Sequence, residues 1–236
     1  MKKYIFDTDT SLMDSDNPMD AQFMRWFERW MIKKNVYLCT NNTYENILPR
    51  IGRRIVDGCI AVFACGGNSV WLKGKEAKID VWRPPVELSN FLESLLKMSG
   101  FKTRSGPNIE HRTGMVSFTV AGKNATQDEC KRYAVWDRQS RERNTMIESI
   151  NKNFPDLSVC KSGDTSIDIT ADGFDKSQIV KYFDQKDHVI FIGGDVGKYG
   201  SNNTLVKEIE NTNNKNFNTV QVHNWNDAFK YLMNEK

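Results

Sequence analysis

The sequence predicts an α/β protein in which a parallel sheet covered by helices is interrupted by a smaller α+β domain. Short apolar strands alternate with helical segments over the first 78 residues, and this alternation returns after residue 173. Strands that helices bury on both faces form short apolar runs of this kind. Between the two stretches the pattern changes to hairpins and polar helices, which is typical of an antiparallel sheet with helices.

The N-terminal stretch predicts the first strands of the parallel sheet. Residues 4–6 form an apolar strand that runs directly into Asp7, and aromatic residues recur at helical spacing within residues 19–32. The next predicted elements are a strand at 36–39, a helix at 44–55 and an apolar run at 59–64.

The middle of the chain predicts a different architecture. Thr126 with Glu129 three residues later forms a capping-box pattern, which predicts the start of a helix. The predicted elements are a hairpin at 69–79, a helix at 86–98, a second hairpin at 108–112 and 115–120, a long helical region at 126–151, and strands at 157–160 and 166–170.

The last part of the chain restores the strand–helix alternation. Its predicted elements are a helix at 176–183, a strand at 188–192, a helix at 203–210, a strand at 219–222 and a helix at 225–233. We therefore predict a discontinuous Rossmann-like core of residues 1–78 and 174–236. Residues 79–173 would form an inserted α+β cap domain with an antiparallel sheet.

Composition and charge favour a globular protein of the cytoplasm. The chain has 236 residues, of which 39% are apolar, and 33 basic residues nearly balance 30 acidic ones. This balance does not favour a nucleic-acid partner, and no apolar run reaches the roughly 20 residues that span a bilayer. The five cysteines are an odd number without a C-x-x-C pair, which predicts reduced thiols.

The strongest chemical signal is the pair Asp7 and Asp9 at the end of the first strand. In parallel α/β sheets, ligands bind beyond the carboxyl ends of the strands. Two acids spaced i and i+2 there can gather a hard cation, and a carboxylate held near a metal and a phosphate can attack phosphorus. The alternative is an acidic turn, because aspartate is common in turns.

Three further residues at strand ends or in adjoining loops strengthen the chemical interpretation. Thr40 could bond a phosphate oxygen, Lys176 could neutralise a phosphate and the nucleophile, and Asp195 could bind a metal. Each also has a plain structural interpretation, as a turn residue or a solvated lysine. Together, an acid pair, a hydroxyl, a lysine and a third acid in this order make up the set that phosphoryl transfer needs.

These residues resemble the four motifs of the haloacid dehalogenase (HAD) superfamily, and the cap resembles that of eukaryotic-type α-phosphomannomutases. The cap resemblance is carried by His111-Arg112-Thr113-Gly114-Met115, Gly122-Lys123, Gln127-Asp128-Glu129, Ser166-Ile167-Asp168 and Asp172-Gly173-Phe174-Asp175-Lys176. The resemblance implies that Asp7 is the nucleophile and Asp9 the general acid/base. It also implies Mg²⁺ held by Asp7, the Asp9 carbonyl and Asp195.

The same resemblance implies a cap site that grips the substrate, and also a homodimer formed through the cap. Arg112, Lys123, Ser166 and Asp168 occupy the substrate-binding positions. Ser166 and Asp168 are spaced i and i+2 on a strand, so they would face the same side.

The sequence departs from the family pattern at several positions. In the core, Thr10 replaces the usual Gly, Ser11 the usual Thr, Asp16 a basic residue, and Asn202-Asn203 an Asn-Asp pair. In the cap, Lys123 and Cys130 replace arginines, which removes bidentate phosphate recognition at one position and the charge at the other.

A mutase must hold a second phosphate on the cap, whereas hydrolysis needs only the core site and water. The cap substitutions, together with Asp16, therefore favour a phosphohydrolase acting on a small phosphorylated metabolite of the sugar phosphate class. A true phosphomannomutase or hexose phosphomutase, a nucleotide phosphatase, and a non-catalytic binding protein on the same fold are the alternatives.

Overall fold

The computed structural model describes residues 1–14 and 17–235 and contains two separate β-sheets, as predicted. In chain order the elements are β1 Lys3–Asp7, α1 Thr8–Ser11, α2 Ala21–Trp30, β2 Asn35–Cys39, α3 Tyr44–Ile51, α4 Arg53–Gly58, β3 Ala61–Ala64, β4 Ser69–Leu72, β5 Lys75–Ile79, α5 Val86–Met98, β6 Ile109–Arg112, β7 Met115–Thr119, α6 Gln127–Ser140, α7 Glu142–Asn153, β8 Leu157–Ser162, β9 Ser166–Ala171, β10 Val189–Gly193, α8 Asn203–Asn211, β11 Phe217–Gln221 and α9 Trp225–Asn234. Short 3₁₀ helices cover Cys65–Gly67 and Lys176–Tyr182.

The larger sheet is mostly parallel and has the strand order β11-β10-β1-β2-β3-β4-β5. Strands β11, β10, β1, β2 and β3 run parallel, and the β4–β5 hairpin closes one edge in the antiparallel sense. Alternate side chains enter opposite layers: Phe6 packs with α2 on one face, and Ile5 packs with the Lys176–Tyr182 segment on the other. The predicted α/β class is confirmed.

The smaller sheet is fully antiparallel, with the order β6-β7-β9-β8. Phe118 and Ile167 lie on the face that packs against α5, α6 and α7. Burying a side chain such as Phe118 contributes roughly 1.5–3 kcal/mol. Because side chains alternate along a strand, the polar residues Ser117 and Asp168 point to the opposite face, toward the strand ends of the larger sheet.

The structure corrects three predicted helices. The region 126–151 is two helices, because Arg141 adopts a left-handed backbone (φ 55°) between α6 and α7. The helix predicted at 44–55 breaks at Gly52 (φ 92°), and the segment predicted as a helix at 176–183 is a 3₁₀ helix. The capping box at Thr126 is present, with both of its hydrogen bonds.

The division into core and cap stays a prediction. Strand β5 extends the larger sheet to Ile79, one residue beyond the predicted core segment of residues 1–78. Among residues 1–14 and 17–235, no helix combines the length and apolarity needed to cross a bilayer.

Candidate active site

The predicted chemical residues Asp7, Thr40 and Asp195 follow three neighbouring strands of the larger sheet. β1 lies between β2 and β10 and runs parallel to both, so the carboxyl ends of all three meet at one edge. Asp7 closes β1, Thr40 follows β2, and Asp195 comes two residues after β10. This edge borders a cavity of about 540 Å³, which we call the central cavity.

Asp7 is held by a closed set of hydrogen bonds. The Asp7 side chain is buried, with 2% of the residue exposed. Lys176 Nζ donates to Asp7 Oδ1 at 2.8 Å, and Asn202 Nδ2 donates to Asp7 Oδ2 at 2.7 Å. Lys176 also donates to Asn202 Oδ1 at 2.9 Å, so the three side chains form a ring. The interpretation of Lys176 as a solvated lysine is wrong.

The electrostatics of this ring keep a positive charge beside Asp7. Burial raises the pKa of the Asp7 carboxyl, and Lys176 and Asn202 act in the opposite direction. Burial by itself would lower the pKa of Lys176, but the Asp7 carboxylate outweighs burial and raises that pKa overall. Lys176 therefore stays protonated at neutral pH and stabilises the ionised form of Asp7.

Asp9 is positioned by two side chains that the sequence did not single out. Asn42 Nδ2 donates to Asp9 Oδ2 at 3.2 Å, and the Arg50 guanidinium lies 3.4 Å from Asp9 Oδ1. Arg50 is also anchored, because its Nε and NH2 groups donate to the carbonyl of Asn17. Arg50 lies on α3 in an ordinary helical pattern, so no local sequence signal marks it.

Thr40 is fully buried beside the site. Its Oγ1 accepts a hydrogen bond from the Asn42 backbone N–H at 3.0 Å, so the predicted turn is present. The same turn carries the Asn42 side chain to Asp9.

Thr10 stands where the family has glycine, and its backbone explains that preference. Its φ is 75°, a left-handed conformation that glycine adopts readily. The Thr10 hydroxyl accepts a hydrogen bond from the Gly194 N–H at 3.0 Å, which ties the turn after β1 to the turn after β10. This contact offsets part of the backbone strain.

The predicted metal ligands share the central cavity. Asp7, Asp9 and Asp195 all line it, and Asp195 is exposed, with Oδ2 accepting from the Ser201 N–H at 3.1 Å. Within the described residues, no three His, Cys, Asp or Glu side chains form a metal cage. The predicted set needs only two carboxylates and one backbone carbonyl, and oxygen donors of this kind suit Mg²⁺.

The predicted cap residues do not all meet in one cavity. Arg112, Lys123 and Ser166 line a second cavity of about 600 Å³. Arg50 also lines this cavity, and the other two cations pair with Glu110. Arg112 donates to Glu110 Oε2 from Nε at 2.9 Å and from NH2 at 2.7 Å, and Lys123 bonds Glu110 Oε1. The Glu110 carboxylate therefore offsets part of the positive charge that was predicted to bind a phosphate.

Asp168 lies apart from that second cavity. It is 2% exposed and lines a small pocket of about 10 Å³ that also contains Lys176 and Cys160. Both of its carboxylate oxygens lack a hydrogen-bond partner among the described residues. Burial, followed by the charge of Asp168, raises the pKa of the Cys160 thiol.

The remaining departures from the family pattern are distributed as follows. Cys130 lines the second cavity, and the Asn203 side chain donates to the Val196 carbonyl at 2.9 Å. Ser11 keeps its hydroxyl bonded to the Asp7 carbonyl. Asp16 lies outside the described residues.

The predicted homodimer stays a prediction, and three tryptophans that could serve such an interface or a core differ in their surroundings. Trp71 lies in the larger sheet and stacks on Tyr44 with ring centroids 3.9 Å apart. Trp82 packs against the hydrophobic cluster of the smaller sheet, whereas Trp136 on α6 is exposed.

The model of the family described as eukaryotic phosphomannomutase matches residues 62–233, well over half of the 236 residues. The chain belongs to the eukaryotic phosphomannomutase family. One relative, the phosphomannomutase of Encephalitozoon cuniculi (strain GB-M1), is 23% identical over 96% of this chain and 90% of its own length.

Solved structures share the fold at low sequence identity. The C-terminal domain of C. albicans trehalose-6-phosphate phosphatase matches with a TM-score of 0.62 at 14% identity, covering 91% of this chain and 75% of that one. A haloacid dehalogenase-like hydrolase from Bacteroides thetaiotaomicron matches with a TM-score of 0.59 at 9% identity, covering 98% of both chains. The predicted resemblance is thus confirmed, and the protein is a phosphoryl-transfer enzyme with a HAD fold.

Replacing Asn202 by Ala is expected to lower kcat about 10- to 100-fold on any phosphate ester that the enzyme turns over. Asn202 donates to a charged carboxylate, and such a hydrogen bond contributes about 1.5–3 kcal/mol, with 1.4 kcal/mol equal to one decade in rate. Steady-state kinetics measure the loss. Asn211→Ala, at the exposed end of the helix that begins directly after Asn202, is the matched control. Equal rates for both variants would contradict the positioning role.

Proposed function

We propose that the protein is a Mg²⁺-dependent phosphohydrolase that forms an aspartyl-phosphate on Asp7. Its substrate is a small phosphorylated metabolite of the sugar phosphate class. The observation that carries the proposal is the ring of Asp7, Lys176 and Asn202 at the wall of the central cavity. Two hydrogen bonds prevent the carboxylate from rotating, and a buried ammonium offsets the charge of an incoming phosphate.

The two steps divide between Asp7 and Asp9. An Asp7 oxygen attacks phosphorus, the bond from phosphorus to the ester oxygen breaks, and Asp9 gives its proton to that leaving oxygen. Asp9 then takes a proton from water, which attacks the aspartyl-phosphate, releases inorganic phosphate and restores Asp7. Mg²⁺ bound by Asp7, the Asp9 carbonyl and Asp195 would neutralise charge on the phosphoryl oxygens.

Arg50 and Asn42 support the role of Asp9. Both donate toward its carboxylate, so they hold it at the cavity wall in a defined orientation. A general acid needs this kind of orientation, because proton transfer requires hydrogen-bond distance to the reacting oxygen.

Hydrolysis is favoured over the mutase cycle by the state of the cap cations. Glu110 pairs with both Arg112 and Lys123, and the position of a third family cation is Cys130. A mutase that used these predicted positions would have to bind a second phosphate there in each half-cycle. The second candidate, a hexose phosphomutase, is favoured by the family match over residues 62–233.

A substrate panel separates these functions. We expect the wild type to release inorganic phosphate from 4-nitrophenyl phosphate and from several sugar phosphates with Mg²⁺, and to lose this activity in EDTA. Conversion of mannose 1-phosphate to the 6-phosphate with a bisphosphate activator, without net phosphate release, would instead establish the mutase. Preference for nucleoside monophosphates would identify a nucleotide phosphatase. A wild type that binds but turns over nothing in the panel would support a non-catalytic binding protein.

A further inference from the structure

The central cavity has a second charged wall, contributed by the cap. Arg138 lies on α6, Arg143 on α7 and Lys161 on β8, and Arg141 lies between the two helices. We call these four residues the cation wall. Asp137 and Asp164 are the carboxylates that line the cap side of the cavity among the described residues. Four cations against two carboxylates leave a formal charge of +2 on this side.

The four cations of the cation wall differ in whether a carboxylate lies close to them. Arg143 and Lys161 share Asp137, with the Arg143 Nε 2.9 Å and the Lys161 Nζ 3.6 Å from its Oδ2. Within the described ranges, neither Arg138 nor Arg141 lies within 4.0 Å of a carboxylate oxygen, and both are exposed. The uncompensated charge of the wall therefore belongs to these two arginines.

The corner that carries the two arginines is well defined. Asp137 accepts hydrogen bonds from the backbone N–H and the side chain of Arg143, and its own carbonyl accepts from the Arg141 N–H at 2.8 Å. Arg141 has a left-handed backbone (φ 55°), where glycine is the usual residue. It follows the C-terminus of α6, where a cation is favoured, and precedes the N-terminus of α7, where a cation is disfavoured. Helix electrostatics therefore do not account for an arginine here.

The two sides of the central cavity carry opposite charge. On the side of the larger sheet, the carboxylates of Asp7, Asp9 and Asp195 outnumber the ammonium group of Lys176. The cation wall on the other side is positive. A volume of about 540 Å³ lies within the range of about 300–1,000 Å³ typical of small-ligand sites. A substrate that places its reacting phosphate at Asp7 therefore extends its other end toward Arg138 and Arg141. By contrast, Arg112 and Lys123 of the second cavity both pair with Glu110.

The geometry points to Arg138 and Arg141 as a binding site for a second anionic group of the substrate, either a phosphate or a carboxylate. This inference rests on the proposed phosphohydrolase function and narrows its substrate class to doubly anionic metabolites. Guanidinium groups bind both kinds of anion through paired hydrogen bonds.

Matched substrate pairs test the site. 6-Phosphogluconate has a carboxylate that glucose 6-phosphate lacks. Fructose 1,6-bisphosphate has one phosphate more than fructose 6-phosphate. In the wild type we expect at least one added anion to raise kcat/KM about 10-fold or more. That gain should fall to less than about 2-fold in Arg138→Gln/Arg141→Gln. The pair in which kcat/KM rises identifies the preferred anion.

The control variant is Arg132→Gln/Lys152→Gln, which removes two exposed charges from α6 and α7 outside the central cavity. It should keep the full gain. A wild type that turns these compounds over without any gain, or an equal loss of gain in both double variants, would overturn the site. Calorimetry measures in parallel how tightly the same compounds bind to the wild type and to the two double variants. If the wild type turned over none of these compounds but still bound the doubly anionic member of a pair more tightly, and if that preference required Arg138 and Arg141, only the phosphohydrolase proposal would be overturned.

Discussion

Asp7→Asn is expected to reduce Mg²⁺-dependent release of phosphate from an aryl phosphate by about 10⁴-fold or more. The amide has nearly the same shape as the carboxylate, but it is a poor nucleophile and carries no charge for the metal. Losses of several decades are usual when a covalent nucleophile is removed. The measurement is steady-state phosphate release, together with a thermal melt that shows whether the variant is folded.

The melt is needed because Asp7 is also a structural partner of Lys176. The variant leaves a buried ammonium beside a neutral amide, so some loss of stability is expected. Asp57→Asn on α4 is the control, since that carboxylate is partly exposed and lies away from the cavity. A folded Asp7→Asn protein with turnover like that of Asp57→Asn would refute the assignment of Asp7 as nucleophile.

Asp137→Asn is expected to lower the free energy of unfolding by about 3 kcal/mol at pH 7, the lower end of the range for breaking a buried ion pair. Asp137 is 3% exposed and lies against Arg143 and Lys161. The substitution leaves the buried Arg143 guanidinium without its charge partner, although it still donates to the Gly163 and Ser166 carbonyls. Urea unfolding followed by circular dichroism measures the change.

The pH dependence of this loss has a defined sign. Burial acts to raise the pKa of Asp137, but hydrogen bonds and charge from Arg143 outweigh burial and lower it overall. A carboxyl with a depressed folded-state pKa stabilises the fold above its unfolded pKa of about 3.9, and this contribution is lost as the pH falls through the folded pKa. The difference between wild type and variant should therefore be constant near neutrality and shrink below about pH 4.

Asp184→Asn serves as the matched control for stability. Its carboxylate pairs with Lys186 at 4.0 Å, and both side chains are largely exposed. Such a pair contributes about 0–1 kcal/mol. If Asp137→Asn destabilised the protein no more than Asp184→Asn, the ion pair would not be what fixes the α6–α7 corner.

The sequence predicted the fold because its signals are local and periodic. Apolar strands ending in Asp7 and Asp195 predicted a parallel sheet, and the capping box at Thr126 predicted the start of α6. The break at Arg141 was not predictable, since arginine is a good helix former and the surrounding pattern continues as a helix. In the structure, Asp137 accepts hydrogen bonds from Arg143 across that break.

The candidate site divides in the same way. The sequence by itself determined that Asp7, Asp9, Lys176 and Asp195 come at strand ends or in adjoining loops, because each follows an apolar run or a turn along the chain. Only the tertiary structure decided that Asn202 joins Asp7 to Lys176 and that Arg50 contacts Asp9. These partners are 195 and 41 positions from the carboxylates they contact, and no local pattern encodes a contact of that separation.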